Sequence, residues 1–514
     1  MYDISVRTFA MALYDFQKLR NGTDVRGIAV EGIEGEHVDL KATAVQRIAS
    51  AFALWLKNRL GKDKVTIAVG HDSRVSAADL SKATIDGILQ TGNDARFTAL
   101  STTPSMFMLL KDKTQDVCDG SVMITASHLP FNRNGMKFFT GFGGLEGTDV
   151  KEILSIAESD FPLAKEQGVC VVKPYLDEYA SSLVEKVRRE TGELTPLKGK
   201  KIVVDAGNGA GGFFVNKVLV PLGADTDGSQ FLEPDGTFPN HIPNPENAEA
   251  MQSVCSAVKK ANADFGIIFD TDVDRAGAVD EKGEEINRNR LIALISAILL
   301  SEKKGTIVTD SVTSDGLKTF IEEKGGRHHR FKRGYKNVIN EAIRLNEQGE
   351  YTPLAIETSG HAALMENYFL DDGAYLITRL LIALSKAAKV GQSLTAQIES
   401  MQMPKEAKEV RLRFKQGVDF KTLGAGLIKD FEEKIKSLPY AKAAENNFEG
   451  FRANFDKEHG DGWILTRMSL HEPILPVNAE SNSQGGVKLI LTELYTFLQA
   501  YDFLDLSALE KALN

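Results

Sequence analysis

The chain holds 514 residues, and at about 150 residues per domain it is long enough for three or four domains, which excludes a single small module. Apolar residues make up 42% and charged residues 26%, the mixture of a packed globular protein and too apolar for a disordered one. With 61 basic against 71 acidic residues and a net charge of −10, the chain lacks the basic excess that drives nucleic-acid binding.

The opening residues, Met1-Tyr-Asp-Ile-Ser-Val-Arg7, have an early acid and no apolar h-region. Neither a signal peptide nor a transit peptide is expected, and the cytoplasm is the default location. Two arginine-bearing turns follow, Gly22-Thr-Asp24-Val-Arg26-Gly27 and Gly70-His-Asp72-Ser-Arg74. Their guanidinium forks suit phosphate or carboxylate, with an internal ion pair to Asp72 as the competing role for Arg74. A β-rich run at 65–70 leads into a helical pattern at 76–90. The cysteines, Cys118, Cys170 and Cys255, are odd in number and widely spaced, which fits neither a disulfide framework nor a zinc site and predicts buried thiols.

The strand at 120–125 runs into Thr125-Ala-Ser127-His128-Leu-Pro130-Phe-Asn132-Arg-Asn134-Gly135-Met-Lys137. A serine there sits at a strand end, and its hydroxyl becomes a nucleophile only beside a cation or metal that stabilises the phosphorylated form. A helix-capping serine is the alternative. The strand at 201–205 precedes Asp205-Ala-Gly207-Asn-Gly209-Ala-Gly-Gly212 and a helical pattern at 211–222, with Asp225 and Asp227 downstream. Formally this is a dinucleotide fingerprint, although glycine-rich strand-to-helix turns also arise from steric need alone.

The apolar strand at 265–269 opens into Asp270-Thr-Asp272-Val-Asp274-Arg275. Three carboxylates at alternate positions in one strand-end loop suit a hard divalent cation such as Mg²⁺. An EF-hand calcium loop with Glu281 at position 12 is opposed by Arg275 at the glycine position and by the preceding strand; a solvated acidic turn is the remaining option. A helical pattern follows at 288–301. Its core from Leu291 to Leu300, broken only by Ser296, is well short of the ~20 residues that cross a bilayer, so no membrane span is expected. Further strand-helix pairs fall at 306–309 with 313–324 and at 353–357 with 374–388. The second of these strands ends in Ile356-Glu357-Thr-Ser359-Gly360-His361, a donor and acceptor set suited to sugar hydroxyls or simply a polar turn. From about Pro404 the texture changes, with half-exposed strands at 410–414 and 463–469.

The alternation predicts an α/β protein of three similar α/β domains with mixed sheets and a smaller C-terminal α+β domain. Boundaries are expected near 195, 303 and 404, giving 1–195 with the serine loop, 196–303 with the acidic loop, 304–404 with the Glu357 loop and 405–514.

In combination, Thr125-Ala-Ser127-His128-x-Pro130, Asp270-x-Asp272-x-Asp274-Arg275 and Glu357-x-Ser359-Gly360-His361 resemble the α-D-phosphohexomutases, the phosphoglucomutase and phosphomannomutase family. Asp235-Gly-Thr-Phe-Pro-Asn-His and Asp371-Asp-Gly-Ala are further stretches of the same kind. The resemblance implies four domains around a central cleft and Mg²⁺-dependent interconversion of hexose 1- and 6-phosphates. The route is a phosphoserine enzyme and a bisphosphorylated sugar, with hexose 1,6-bisphosphate as activator. It implies Ser127 as the phosphorylated nucleophile, with His128, Lys137, Arg26 and His361 around the transfer site. Asp270, Asp272 and Asp274 would hold the metal together with Ser127, and Arg275, Glu357 and Ser359 would contact substrate. The implied partner is a small phosphosugar, with no nucleic acid and no membrane; oligomeric state and the choice among glucose, mannose and glucosamine phosphates stay open.

The last domain departs from the family pattern. Where R-x-S-G-T-E-P followed by x-x-R is usual, this chain reads Arg467-Met-Ser469-Leu470-His471-Glu472-Pro473-Ile-Leu-Pro476. Arg467 and Ser469 keep the pattern, Leu470 and His471 stand where Gly and Thr are usual with His471 able to donate to phosphate, and Pro476 stands in the place of the second arginine. Lys332, Arg333 and Lys336, flanking Gly334-Tyr335, are cations able to compensate. The departure keeps other readings open: a sugar-bisphosphate synthase or phosphosugar phosphatase using the same serine, or a non-catalytic phosphosugar-binding protein.

Overall fold

A computed structural model describes residues 14–469 and 472–514, so the expectation about the first seven residues and the role given to His471 lie outside the described residues. The chain divides into two compact units. One comprises the residues up to Asn287 together with Ser359–Ala362 and Leu370–Leu394; the other comprises Arg288–Thr358, Ala363–Phe369 and Thr395–Asn514.

In the first unit, β1 (Asp24–Ile28), β2 (Thr66–His71), β3 (Asp94–Leu100), β4 (Gly120–Ile124), β5 (Arg133–Thr140) and β6 (Cys170–Val172) lie in the order β1-β5-β4-β2-β3-β6. The central strands β4, β2, β3 and β6 are parallel, and β5 and β1 continue antiparallel. Every residue of β4 is buried, as expected of a strand covered on both faces. The helix Ala42–Leu60 turns Val45, Ile48, Phe52 and Leu56 into this core, a helical i, i+3/i+4 stripe. It ends at Gly61, whose φ of +62° supplies the left-handed cap. Its neighbour, the helix Ala77–Leu89, approaches so closely that a side chain at Gly87 would overlap the Gln46 carbonyl, while Ser50 Oγ donates to the Gly87 carbonyl at 2.7 Å.

The second sheet of this unit runs β10-β9-β8-β7, from β7 (Ile202–Asp205), β8 (Phe265–Phe269), β9 (Ala276–Val279) and β10 (Glu285–Ile286). Strands β7 and β8 are parallel; β9 turns back antiparallel along β8 and carries the chain past the acidic loop. The continuous helix expected at 211–222 is replaced by short 3-10 and π turns, Ala210–Gly212, Val215–Leu219 and Val220–Leu222. Pro221 within the last of these removes a backbone donor and interrupts regular winding. The glycines before it are explained by packing. A Cβ at Gly209 would sit 2.7 Å from the Thr271 carbonyl oxygen, and one at Gly212 would overlap that of Leu232, so their smallness serves chain approach rather than a dinucleotide. Cys118 and Cys255 are buried as expected, but Cys170 is exposed, because it lies on the edge strand β6 whose three residues all face solvent.

In the second unit, β11 (Thr306–Thr309) lies between β12 (Arg327–Arg330) and β13 (Leu354–Ile356), all parallel. The helix Arg288–Glu302 is buried along the whole of Leu291 to Leu300, and no described helix is long and apolar enough to cross a membrane. The last sheet is antiparallel, in the order β15-β16-β17-β18-β14-β19. Its strands are β14 (Glu406–Phe414), β15 (Ala441–Ala443), β16 (Phe451–Phe455), β17 (Gly462–Thr466), β18 (Ile474–Ser481) and β19 (Leu504–Asp505). Along β14, Val410, Leu412 and Phe414 enter the core while Glu409, Arg411 and Arg413 stay exposed, the period-two pattern of a one-faced sheet. The last predicted strand is shorter than expected, ending at Thr466. Replacing Gly87 by Ala is expected to destabilise the first unit by about 1–3 kcal/mol through overpacking at the helix contact, measured as a lowered urea midpoint; no change would show that the two helices separate without cost.

Candidate active site

The serine loop owes its shape to two buried groups. Asp72, at the end of β2, accepts from Thr125 Oγ1 at 2.7 Å, and Thr125 Oγ1 in turn accepts from Ser127 N at 3.0 Å. Arg74, whose side chain is fully buried, donates to the carbonyls of Ser127 (2.5 Å), Leu129 (2.7 Å), Pro130 (2.7 Å) and Arg133 (2.8 Å), with Asp72 3.4 Å away. Arg74 is therefore an internal brace, and the ion pair with Asp72 is the reading that holds. Held this way, Ser127 adopts φ +52°, a left-handed conformation that costs a non-glycine residue about 1–3 kcal/mol and needs such support.

Around Ser127 Oγ the first unit brings the acidic loop against the serine loop. Asp270 Oδ2 lies at 3.0 Å, Arg275 Nη2 donates to Oγ at 2.9 Å, and His128 Nδ1 is 3.4 Å away and also touches Arg275. Arg275 is fixed from its own loop, its backbone N–H bonding Asp270 Oδ1 at 3.2 Å and its guanidinium lying 3.7 Å from Glu246. Arg26 sits beside the loop, bonding the Ala126 carbonyl at 2.9 Å and Asp24 at 2.8 Å. Lys137, on β5, reaches Asp272 at 3.0 Å and Asp274 at 2.5 Å.

The acidic loop is buried throughout. Ligand atoms of Asp270, Asp272 and Asp274 lie within 4.8 Å of one another, and Asp272 Oδ1 and Asp274 Oδ1 are buried with no hydrogen-bond partner among the described residues. Buried carboxylate oxygens left without donors, on hard ligands in one loop, are what a divalent cation such as Mg²⁺ would satisfy. Val273 between them has φ +65°, turning consecutive side chains inward. Burial, reinforced by the neighbouring carboxylates of Asp274 and Asp272, raises the Asp270 carboxyl well above its ordinary range. Burial acts against charge on Lys137, but Asp272 and Asp274 outweigh it and hold the ammonium charged. Burial, aided by Arg275 and Arg26, pushes His128 down to about 2, so its ring is neutral.

Gly360, with φ +92° and room for no side chain larger than hydrogen beside the Ala276 carbonyl (2.9 Å), lets Ser359 and His361 approach this loop; His361 forms a bridge with Arg275. His361 Nδ1 bonds the Asp371 carboxylate, and His361, Asp371 and Asp274 form a second close group of ligand atoms. Thus Ser127, His128, Lys137, Arg26, Asp270, Asp272, Asp274, Arg275, Ser359 and His361 all belong to the first unit.

Glu357, Arg467 and Ser469 belong to the second. Glu357 is buried and accepts from the Gly334 N–H at 2.6 Å. Arg467 lies 3.8 Å from Glu449, which also accepts from Ser311 Oγ (2.5 Å) and Arg333 N (3.0 Å). Ser469 Oγ accepts from Glu472 N at 3.2 Å.

Three participants escape a sequence reading. Thr103 holds Asp272 by its hydroxyl (2.5 Å) and its backbone N–H (2.9 Å), and its only sequence signal is the Thr102-Thr103-Pro104 helix start. Glu449 has no motif around it. Asp371 sits in the Asp371-Asp372-Gly373-Ala stretch already noted, but nothing there points to His361.

Family models match in order: phosphoglucomutase/phosphomannomutase alpha/beta/alpha domain I over residues 17–162, domain II over 175–283 and domain III over 287–403. The chain is 31% identical to a phosphoglucomutase of Neisseria gonorrhoeae, over 82% of this chain and 86% of that one. It is 30% identical to a phosphoglucomutase/phosphomannomutase of Thermococcus kodakarensis, over 92% and 98%. A crystal structure of a phosphoglucomutase/phosphomannomutase family protein from Burkholderia thailandensis superimposes with a TM-score of 0.76 at 26% identity, covering 94% of this chain and 97% of that one. The chain belongs to the phosphoglucomutase/phosphomannomutase family, the α-D-phosphohexomutases, and is an enzyme of the mutase type.

Replacing Arg74 by Ala leaves four loop carbonyls without their donor and the buried Asp72 without its cation, so a loss of about 3–5 kcal/mol is expected, together with faster proteolysis within residues 127–133. Unchanged stability and protease resistance would show that the loop holds its shape without the brace.

Proposed function

We propose that the protein interconverts hexose 1-phosphates and hexose 6-phosphates through a phosphorylated Ser127 and a bisphosphorylated sugar. The observation that carries this reading is the setting of Ser127 Oγ, 3.0 Å from Asp270 and 2.9 Å from Arg275 in a buried loop cluster. With Ser127 phosphorylated, the free 6-hydroxyl of a hexose 1-phosphate attacks phosphorus. The new O6–P bond forms as the P–Oγ bond breaks, and the hydroxyl proton passes, in net, from O6 to Oγ. The bisphosphorylated sugar then presents its other end, and the 1-phosphate returns to Ser127 by the same exchange, leaving a hexose 6-phosphate. Hexose 1,6-bisphosphate serves as activator by recharging Ser127.

Arg275 and Lys137 hold fixed positive charge against the oxygens of the moving phosphoryl group, which is where transfer of this kind is stabilised. Asp270, Asp272 and Asp274 are the residues that would hold Mg²⁺, with a Ser127 oxygen completing the set. When bound, the ion supplies divalent charge to the phosphoryl oxygens. His361, oriented by Asp371, and Arg26 line the transfer site, and His128 fixes the Arg275 guanidinium. Glu357 and Ser359 are assigned to sugar hydroxyls, and Arg467, Ser469 and His471 to the outer phosphate. Four domains, 1–195, 196–303, 304–404 and 405–514, are proposed as the carriers of these loops, in a protein located in the cytoplasm.

One observation favours a second reading. Pro476 stands where the family pattern has a phosphate-binding arginine, and a weaker hold on the intermediate would favour release of sugar bisphosphate or its loss to water. A silent phosphosugar-binding protein would show neither product.

Replacing Ser127 by Ala is expected to abolish both phosphoryl incorporation, read by intact mass, and conversion of glucose 1-phosphate, read by a coupled assay. Turnover persisting in that variant would refute the phosphoserine route. Chelation is expected to stop turnover reversibly, with Mg²⁺ restoring it, and Asp272→Asn should raise the Mg²⁺ needed for half-activity at least about tenfold.

A further inference from the structure

The face of the last sheet turned away from its helices carries an arrangement that the Arg467 loop alone does not reveal. Strand β18 lies between β14 and β17, and its register pairs Pro476 with Arg411 on one side. On the other, Thr466 pairs with Val477, and the next residue, Arg467, donates its backbone N–H to the Pro476 carbonyl at 3.2 Å. Residues directly opposite each other in a sheet project from the same face. Arg411, Pro476 and Arg467 therefore form one row on one face, with the two arginines about 10 Å apart at their backbones, two strand spacings. A phosphate bound between the two side chains would have a guanidinium on either side.

The state of the two side chains fits that use. Arg411 is mostly exposed, with 64% of its side chain accessible. Its Nε bonds Glu409 at 2.7 Å, which orients the fork and leaves the terminal amino groups without a partner among the described residues. Arg467 is 12% exposed, with Glu449 3.8 Å away and its Nε buried and without a partner among the described residues. Asn478, two residues along β18 on the same face, has a buried Oδ1 that lacks a donor. Unsatisfied buried donors and acceptors beside an exposed fork are the complement of a ligand carrying both phosphate oxygens and hydroxyls.

We propose that Arg411 supplies the second guanidinium of the outer-phosphate clamp, from the strand next to the position where the family pattern places it. The cation missing at 476 is thus replaced across the ladder rather than lost. This assignment rests on the reading of Arg467 and Ser469 as outer-phosphate ligands.

Equilibrium calorimetry of the full chain with Mg²⁺ and, separately, glucose 1-phosphate and mannose 1-phosphate tests the clamp without requiring turnover, and the coupled assay runs beside it. Arg411→Ala is expected to weaken binding about tenfold or more, the scale of one lost charge-assisted hydrogen bond pair, with KM rising by a similar factor. Adding Pro476→Arg to that variant should restore affinity to within about threefold, because the guanidinium returns to the same row. Arg413→Ala, which removes an equal charge from the same face two residues along β14, should leave affinity unchanged. An Arg411→Ala protein that binds within twofold of the parent, an equal loss in the Arg413 variant, or a parent chain that binds no glucose 1-phosphate or mannose 1-phosphate would each overturn the proposal. Binding that depends on Arg411 in a chain that does not turn over would leave the clamp standing and remove the mutase reading instead.

Discussion

Three carboxylates whose ligand atoms lie within 4.8 Å of one another repel strongly in a water-poor setting, and Lys137, Arg275 and Thr103 are placed to offset that repulsion. Asp270, Asp272 and Asp274 sit in one turn because β8 is continuously apolar and ends abruptly, and because Val273 accepts a left-handed backbone that turns the loop inward. Lys137 bridges two of the acids and Arg275 the third. Even so, two carboxylate oxygens remain without donors. Those two oxygens are the reason to place a divalent cation there, and Ser127, whose hydroxyl donates to Asp270, stands beside the same cluster.

The serine cannot hold that place alone. Its left-handed backbone is maintained by the Asp72 and Thr125 relay below it and by Arg74, which binds four carbonyls of the loop. A fully buried guanidinium is costly unless its donors are used, and here most of them are. The strain at Ser127 is thus carried by groups outside the reacting atoms. The second unit applies a similar logic with different residues: Glu449 accepts from the Ser311 hydroxyl and the Arg333 backbone N–H and stands beside the Arg467 guanidinium, while the Arg333 guanidinium faces Asp310.

Much of this was legible in the sequence, and for physical reasons. The strand at 265–269 announced itself by unbroken apolar character, and three aspartates at alternate spacing after it suit few roles other than a cation site. The three-motif order carried the family. What sequence could not show depends on residues brought together from afar. Thr103 reaches Asp272 across 169 positions, and Arg74 reads as a phosphate fork until its four carbonyl partners are seen. Arg411 is an ordinary outward residue of an alternating strand until register sets it opposite Pro476. The glycines at 207, 209 and 212 mimicked a cofactor turn because close chain approach and phosphate approach demand the same missing side chain. Proline at 221 broke a helix that periodicity alone predicts. Edge placement, invisible to composition, exposed Cys170.

The central claim is that Ser127 exchanges a phosphoryl group with both ends of a hexose. Phosphorus NMR of the purified chain tests it most directly, with Mg²⁺, a catalytic amount of glucose 1,6-bisphosphate and, in separate samples, glucose, mannose and glucosamine 1-phosphates. A 6-phosphate resonance should grow at the expense of at least one 1-phosphate, with the total of sugar-bound phosphorus constant. Growth of inorganic phosphate, steady accumulation of bisphosphate, or unchanged spectra in all three samples would contradict it.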